Sequence, residues 1–177
     1  EGSAEPRGAG GLSNIFTYKN FYINIFISFK FDYKIRLNDA FSPAYTDYNS
    51  FSQSFVNRWQ VPGDEAITNV PVILDKQTVL GTNTDLLGAY DLYNKSTVRI
   101  ADGTYGRLKS VRIGYTLPGI WLTKIKLRSA QVSIEGQNLA LLFSDKRLNG
   151  QDPEFFNAGG VSLPQPRLIT TSINVVF

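Results

Sequence analysis

An all-β fold of antiparallel strands follows from three features of the sequence. Apolar and polar residues alternate with a period of two over long stretches, short and very long connections take turns between those stretches, and no window carries convincing helical periodicity. A period of two gives each strand two different faces, so the sheet they build must separate two different environments.

The first strand is expected over Gly11 to Tyr18, closed by the tight turn "YKNF" in which Asn20 would tolerate a positive φ. The second runs from Phe21 to Leu37, where every odd position is apolar, and the even positions are Tyr22, Asn24, Phe26, Ser28, Lys30, Asp32, Lys34 and Arg36. At ~3.3 Å per residue one strand of that extent would reach about 55 Å, several times the usual length in a globular protein. From Asn38 to about Gly103 the composition turns to Ser, Asn, Asp, Pro and Gly with interspersed aromatics, which reads as one very long loop with room for a short helix or strand.

Alternation returns in "YGRLKSVRIGYTLP", with Val111, Ile113, Tyr115 and Leu117 on one side and Ser110, Arg112, Gly114 and Thr116 on the other, until Pro118 and Gly119 end the strand. After the short connection "GIWLTKIK", a further strand sets Ala130, Val132, Ile134 and Gly136 against Gln131, Ser133, Glu135 and Gln137 and runs on into "NLALLF". A second long loop, 144–166, leads into the terminal "TTSINVVF", whose Ile169, Thr171, Ile173 and Val175 alternate with mostly polar neighbours up to Phe177.

Composition removes several classes of chemistry. The 177 residues hold no His and no Cys, so disulfides, thiol catalysis, Ser-His and Cys-His nucleophile pairs and the commonest zinc sites are out of reach. A net charge of +3 without a basic run does not point to nucleic acid. No stretch is long and apolar enough for a membrane-spanning helix. With no Met in the sequence, residue 1 is expected to follow processing or to begin a fragment.

Two-faced antiparallel strands with long loops sorted to one end are the pattern of an outer-membrane barrel. Lipid would cover the apolar face, so Val111, Ile113, Tyr115, Val132 and Ile134 are expected to face it, while Arg112, Glu135 and the charges of 30–36 would face a wet lumen. Tyr18, Phe21, Tyr115 and Trp121, close to the short turns, would form part of an interfacial girdle. A β-sandwich also alternates, though with shorter strands and unsorted loops.

Candidate chemistry is sparse. Asp152 and Glu154 in "QDPEFF" are carboxylates two residues apart across Pro153, whereas a glycosidase sets its pair across a sugar from different elements, so no catalytic residue is assigned and the chain is not read as an enzyme. "GTYG" and "GGLS" lack phosphate-loop spacing, and no cofactor or metal is implied. Tyr45, Tyr48, Phe51, Phe55 and Trp59, mixed with Asn and Asp, are the candidates for contact with a substrate or a covering partner, because aromatic faces stack on sugars and amides bond hydroxyls. The same aromatics could instead pack the loop against its neighbours.

In order along the chain, "GGLSNIFTYKNF", "RWQVPGD", "YGRLKSVRIGYTLP", "IEGQNLALLF", "GQDPE", "LPQPR" and a terminal Phe177 resemble the C-terminal end of the SusC/RagA-like TonB-dependent outer-membrane transporters. The resemblance covers nearly the whole chain. It implies that residues 1–177 are about five C-terminal strands of a transmembrane barrel of about 22 strands, with extracellular loops near 38–103 and 144–166 and with the plug domain and TonB box outside this chain. It further implies import of oligosaccharides, glycans or peptides, a SusD-like surface lipoprotein, the TonB-ExbB-ExbD system acting through the N-terminal region, and an outer-membrane location with the C-terminus on the periplasmic side. Phe177 would carry the signal read by the barrel-assembly machinery. A secreted carbohydrate-binding sandwich and a passive outer-membrane barrel stay open on the residues alone.

Overall fold

A computed structural model describes residues 2–40, 51, 53–73, 86–124, 126–156 and 165–177. Five long strands form one antiparallel sheet: β1 (Gly8–Tyr18), β2 (Phe21–Phe31), β5 (Tyr105–Thr116), β6 (Ser129–Phe143) and β7 (Leu168–Val176). Their spatial order is β1-β2-β5-β6-β7, so strands adjacent in this list always pair with the next and the sheet stays open at both edges. The expected alternation of short and long connections holds, with a two-residue turn and the connection 117–128 at one end and the two long loops at the other.

The extended run over 21–37 is not one strand. β2 stops at Phe31 because Asp32 takes a left-handed backbone (φ 58°), and the chain resumes as β3 (Lys34–Arg36), which pairs with β4 (Ile100–Asp102) in a separate two-stranded sheet. Side-chain alternation continues across the break, so a period-two count cannot detect it. The break redirects Tyr33 and Ile35 from the sheet face into a small core with Ala101 and Leu148, bordered by Leu37 and Phe156. Gly103 lies against the Tyr33 ring so closely that a Cβ there would stand 2.3 Å from it, which fixes glycine at the corner.

The β1–β2 turn also differs from expectation. Lys19 is the left-handed residue (φ 52°), whereas Asn20 uses its side chain, donating from Nδ2 to the Thr116 carbonyl at 2.7 Å. Thr116 N–H in turn donates to the Asn20 carbonyl, and Arg128 N–H to that of Val176, so successive hairpins are stitched together at the short-turn end. Within the connection 117–128, Pro118 stops β5 and opens the short helix α2 (Gly119–Lys124).

The first long loop carries its own structure. The helix α1 (Leu86–Lys95) and 3-10 turns at Gln53–Asn57, Asp64–Ala66 and Thr97–Arg99 surround a second core of Ala40, Phe55 and Tyr90, with Val70, Ile73 and Tyr93 against it. Both cores therefore lie in the loops, not on the large sheet.

Candidate functional site

Register places the sheet's two faces side chain by side chain. Directly opposed residues share a face, and one row runs Phe16, Ile23, Ile113, Ile134, Thr171 across all five strands. The flanking rows are Tyr18, Phe21, Tyr115, Val132, Ile173 and Asn14, Ile25, Val111, Gly136, Ile169. Val111, Ile113, Tyr115, Val132 and Ile134 thus stand together on one apolar face. Ile113, Ile134 and Ile169 are exposed on it, the last at 75 %. On the upper part of this face the rings of Phe29 and Phe31 lie over Gly10 and Gly8, their cross-strand partners, where a Cβ would collide.

The opposite face carries the charges. Arg112 and Glu135 are directly opposed, and Arg112 Nε donates to Glu135 Oε2 at 2.7 Å while Gln137 Nε2 donates to Oε1 at 3.0 Å. Tyr22 covers Gly114 on the same face, followed across the sheet by Ser133 and Ser172. An ion pair and amide and hydroxyl side chains of this kind would be costly in an apolar sandwich core.

At the short-turn end, Tyr18, Phe21 and Trp121 are exposed, and the Phe21 and Tyr115 rings meet at 4.5 Å between centroids. Phe177 follows β7 at this same end and is 81 % exposed.

The loop end holds two charge networks that the sequence did not disclose. Arg107, on β5, is buried and pairs with Asp152; its Nε lies 3.2 Å from Glu154, which also accepts from Lys109 Nζ at 2.8 Å. Asp152 and Glu154 are therefore counter-ions that dock the second loop on β5, and Asp152 is itself 93 % buried along its side chain, being 7 % exposed. Forty-five residues separate Arg107 from Asp152 and Lys109 from Glu154 in sequence, so no local pattern could reveal the network. Nearby, Asp145 accepts from the Arg147 guanidinium, from Arg147 N–H and from Asp102 N–H. The Arg147 side chain is the largest cause holding the Asp145 carboxyl down at about 2. Asp102 is held low first by the Thr104 hydroxyl and then by Thr104 N–H, with Lys34 Nζ at 3.0 Å.

Of the aromatic loop candidates, Tyr45 and Tyr48 lie outside the described residues. Phe55 is only 3 % exposed and forms the loop core, with Phe51 edge-on to it at 5.5 Å between centroids. Trp59 stays partly open, its Nε1 donating to the Val61 carbonyl. Phe51 also borders a cleft of about 710 Å³ between the two long loops, whose walls include Asn38, Tyr93, Arg99, Lys146 and Phe156. Among the described residues no group of three carboxylates is placed to hold a metal.

No known family model matches the chain. TonB-dependent receptor P3 of Formosa agariphila is 31 % identical over 153 residues, covering 86 % of this chain and 13 % of that protein. TonB-dependent receptor P26 of the same organism is 35 % identical over 88 residues, 44 % of this chain and 9 % of that protein. The RagAB peptide importer in its open-open state superposes with a TM-score of 0.70 over 99 % of this chain and 18 % of that one, at 20 % identity. The chain belongs with the TonB-dependent receptors. In its closed-closed state the RagAB importer superposes with a TM-score of 0.67. At that identity the likeness speaks for the fold, and the open antiparallel sheet is a section of a receptor barrel. The chain spans only a small share of the receptors it matches.

Proposed function

We propose that this chain is the C-terminal wall and vestibule of a TonB-dependent outer-membrane importer, which takes up oligosaccharides, glycans or peptides by energised plug displacement and performs no bond chemistry. The observation that carries the reading is the mainly apolar face that register carries across five strands, backed by a face with Arg112, Glu135 and Gln137, because lipid on one side and a wet lumen on the other are what such a sheet fits. Val111, Ile113, Tyr115, Val132 and Ile134 then face lipid. The short-turn end, with Phe177, is periplasmic and presents the assembly signal, and the loops of 38–103 and 144–166 are extracellular. A SusD-like lipoprotein covers those loops, and TonB-ExbB-ExbD acts on the N-terminal region of the whole receptor. The name of the RagAB peptide importer supports peptides as one substrate class.

An antibody raised against residues 86–103 tests the reading on membranes from the native source. An outer-membrane band far larger than the 19.7 kDa of this chain, with mobility that shifts on heating, is expected. A soluble band at the size of the chain would overturn it in favour of a secreted binding sandwich. Uptake that persists after loss of TonB would leave a passive barrel.

A further inference from the structure

We infer that the cleft between the two long loops binds a carboxylate-bearing ligand, with Arg99 and Lys146 answering its charge. The inference rests on the reading of the loop end as the substrate-facing vestibule, and it adds the ligand's charge to that reading.

Arg99 carries the first part. Its side chain is buried, 7 % exposed, on the cleft wall, yet it forms no ion pair among the described residues. Its Nη2 donates to the Asn38 carbonyl, its guanidinium stands 5.7 Å from the Tyr93 ring centroid, and its Nε has no acceptor. A buried guanidinium held by one carbonyl and one ring lacks the counter-charge that would offset its desolvation. Its neighbour Asn38 has a buried Oδ1 without a donor, so the same wall could also receive a hydroxyl or amide N–H.

Lys146 carries the second part. It is exposed on the cleft wall, and among the described residues no carboxylate lies within ion-pair distance of it. The adjacent Arg147 differs, because Asp145 neutralises it at 2.6 Å. Asp39, exposed, is the one acidic residue among the described lining. Among the described lining, two cations without an ion pair stand against one acid, a balance that favours an anionic ligand, and the cleft's volume accommodates several linked units of it. Carboxylates on an acidic sugar and on a peptide share this chemistry.

Titration calorimetry on the detergent-purified full-length receptor, with trigalacturonate, triglutamate, maltotriose and trialanine amide as probes, tests the site without energy coupling. At least one acidic probe should bind and its neutral counterpart should bind at least about tenfold more weakly. Which acidic probe binds separates sugar from peptide. Lys146→Glu, an exposed change, should weaken that acidic probe about tenfold or more, and Asp39→Asn should tighten it. Silence from both acidic probes, equal binding of neutral and acidic probes, or affinities unmoved by both variants would overturn the inference. A receptor that still runs as a heat-shifting outer-membrane band while failing here leaves the barrel reading standing.

Discussion

The five-stranded wall and the loop cap are stabilised in opposite ways. On the wall, apolar side chains stay exposed on the sheet face and at its end, as Ile169 and Phe177 illustrate. In the cap, Phe55, Ala101 and Leu148 are sealed in small cores, and Arg107 and Asp152 form a buried ion pair. The wall takes its stability from backbone pairing and from whatever covers its apolar face, whereas the cap is held by conventional packing and by charges from distant segments. Substitutions in the two regions should therefore separate assembly of the barrel from order in its loops.

Truncating Phe55 to Ala gives the largest expected effect, about 3–5 kcal/mol lost from the loop core. Hydrogen exchange on the full-length receptor should show faster exchange across residues 53–73 and 86–99 while the heat-dependent gel shift persists. Loss of that shift would mean that cap and wall are one cooperative unit. Next in size is Ile113→Arg in the middle of the apolar row, which should cost about 2–4 kcal/mol of barrel stability and lower the yield of the heat-shifting species. Equal tolerance of Arg at Ile113 and of Ala at Arg112 would mean that the faces are assigned the wrong way round.

A pH scan sharpens the cap side of the comparison. The Asp145 carboxyl is lowered from 3.8 to about 2 in the folded protein, so its contribution is fully present above 3.8 and is lost as pH falls through about 2. Protease resistance of the second loop should fall in that window, and in Asp145→Asn it should already be lower at neutral pH and flatter between those values. The smallest effect is expected for Arg112→Ala. The pair it breaks is half-exposed on the arginine side, so it should cost under about 1 kcal/mol, with the gel shift unchanged.

Residue pattern alone gave a clear view of the wall. Alternation in "YGRLKSVRIGYT" placed Val111, Ile113 and Tyr115 on one face, and the structure finds them aligned with Val132 and Ile134 through direct register. The cap was far less legible. Phe55 stood among the candidates for ligand contact because an aromatic in a polar loop looks the same whether it is buried or displayed, and only packing against Ala40 and Tyr90 distinguishes the two.

The sequence by itself determined the strand periods, the two faces, the short and long connections and so the antiparallel order of the sheet, because each depends on neighbours a few residues apart and on turn chemistry. Tertiary structure alone decided the break at Asp32, the second small sheet, the pairing of Arg107 and Lys109 with Asp152 and Glu154, and the cleft that Arg99 and Lys146 share. Those features depend on which distant segments meet, and a left-handed residue or a charge pair across 45 positions leaves no periodic trace in the chain.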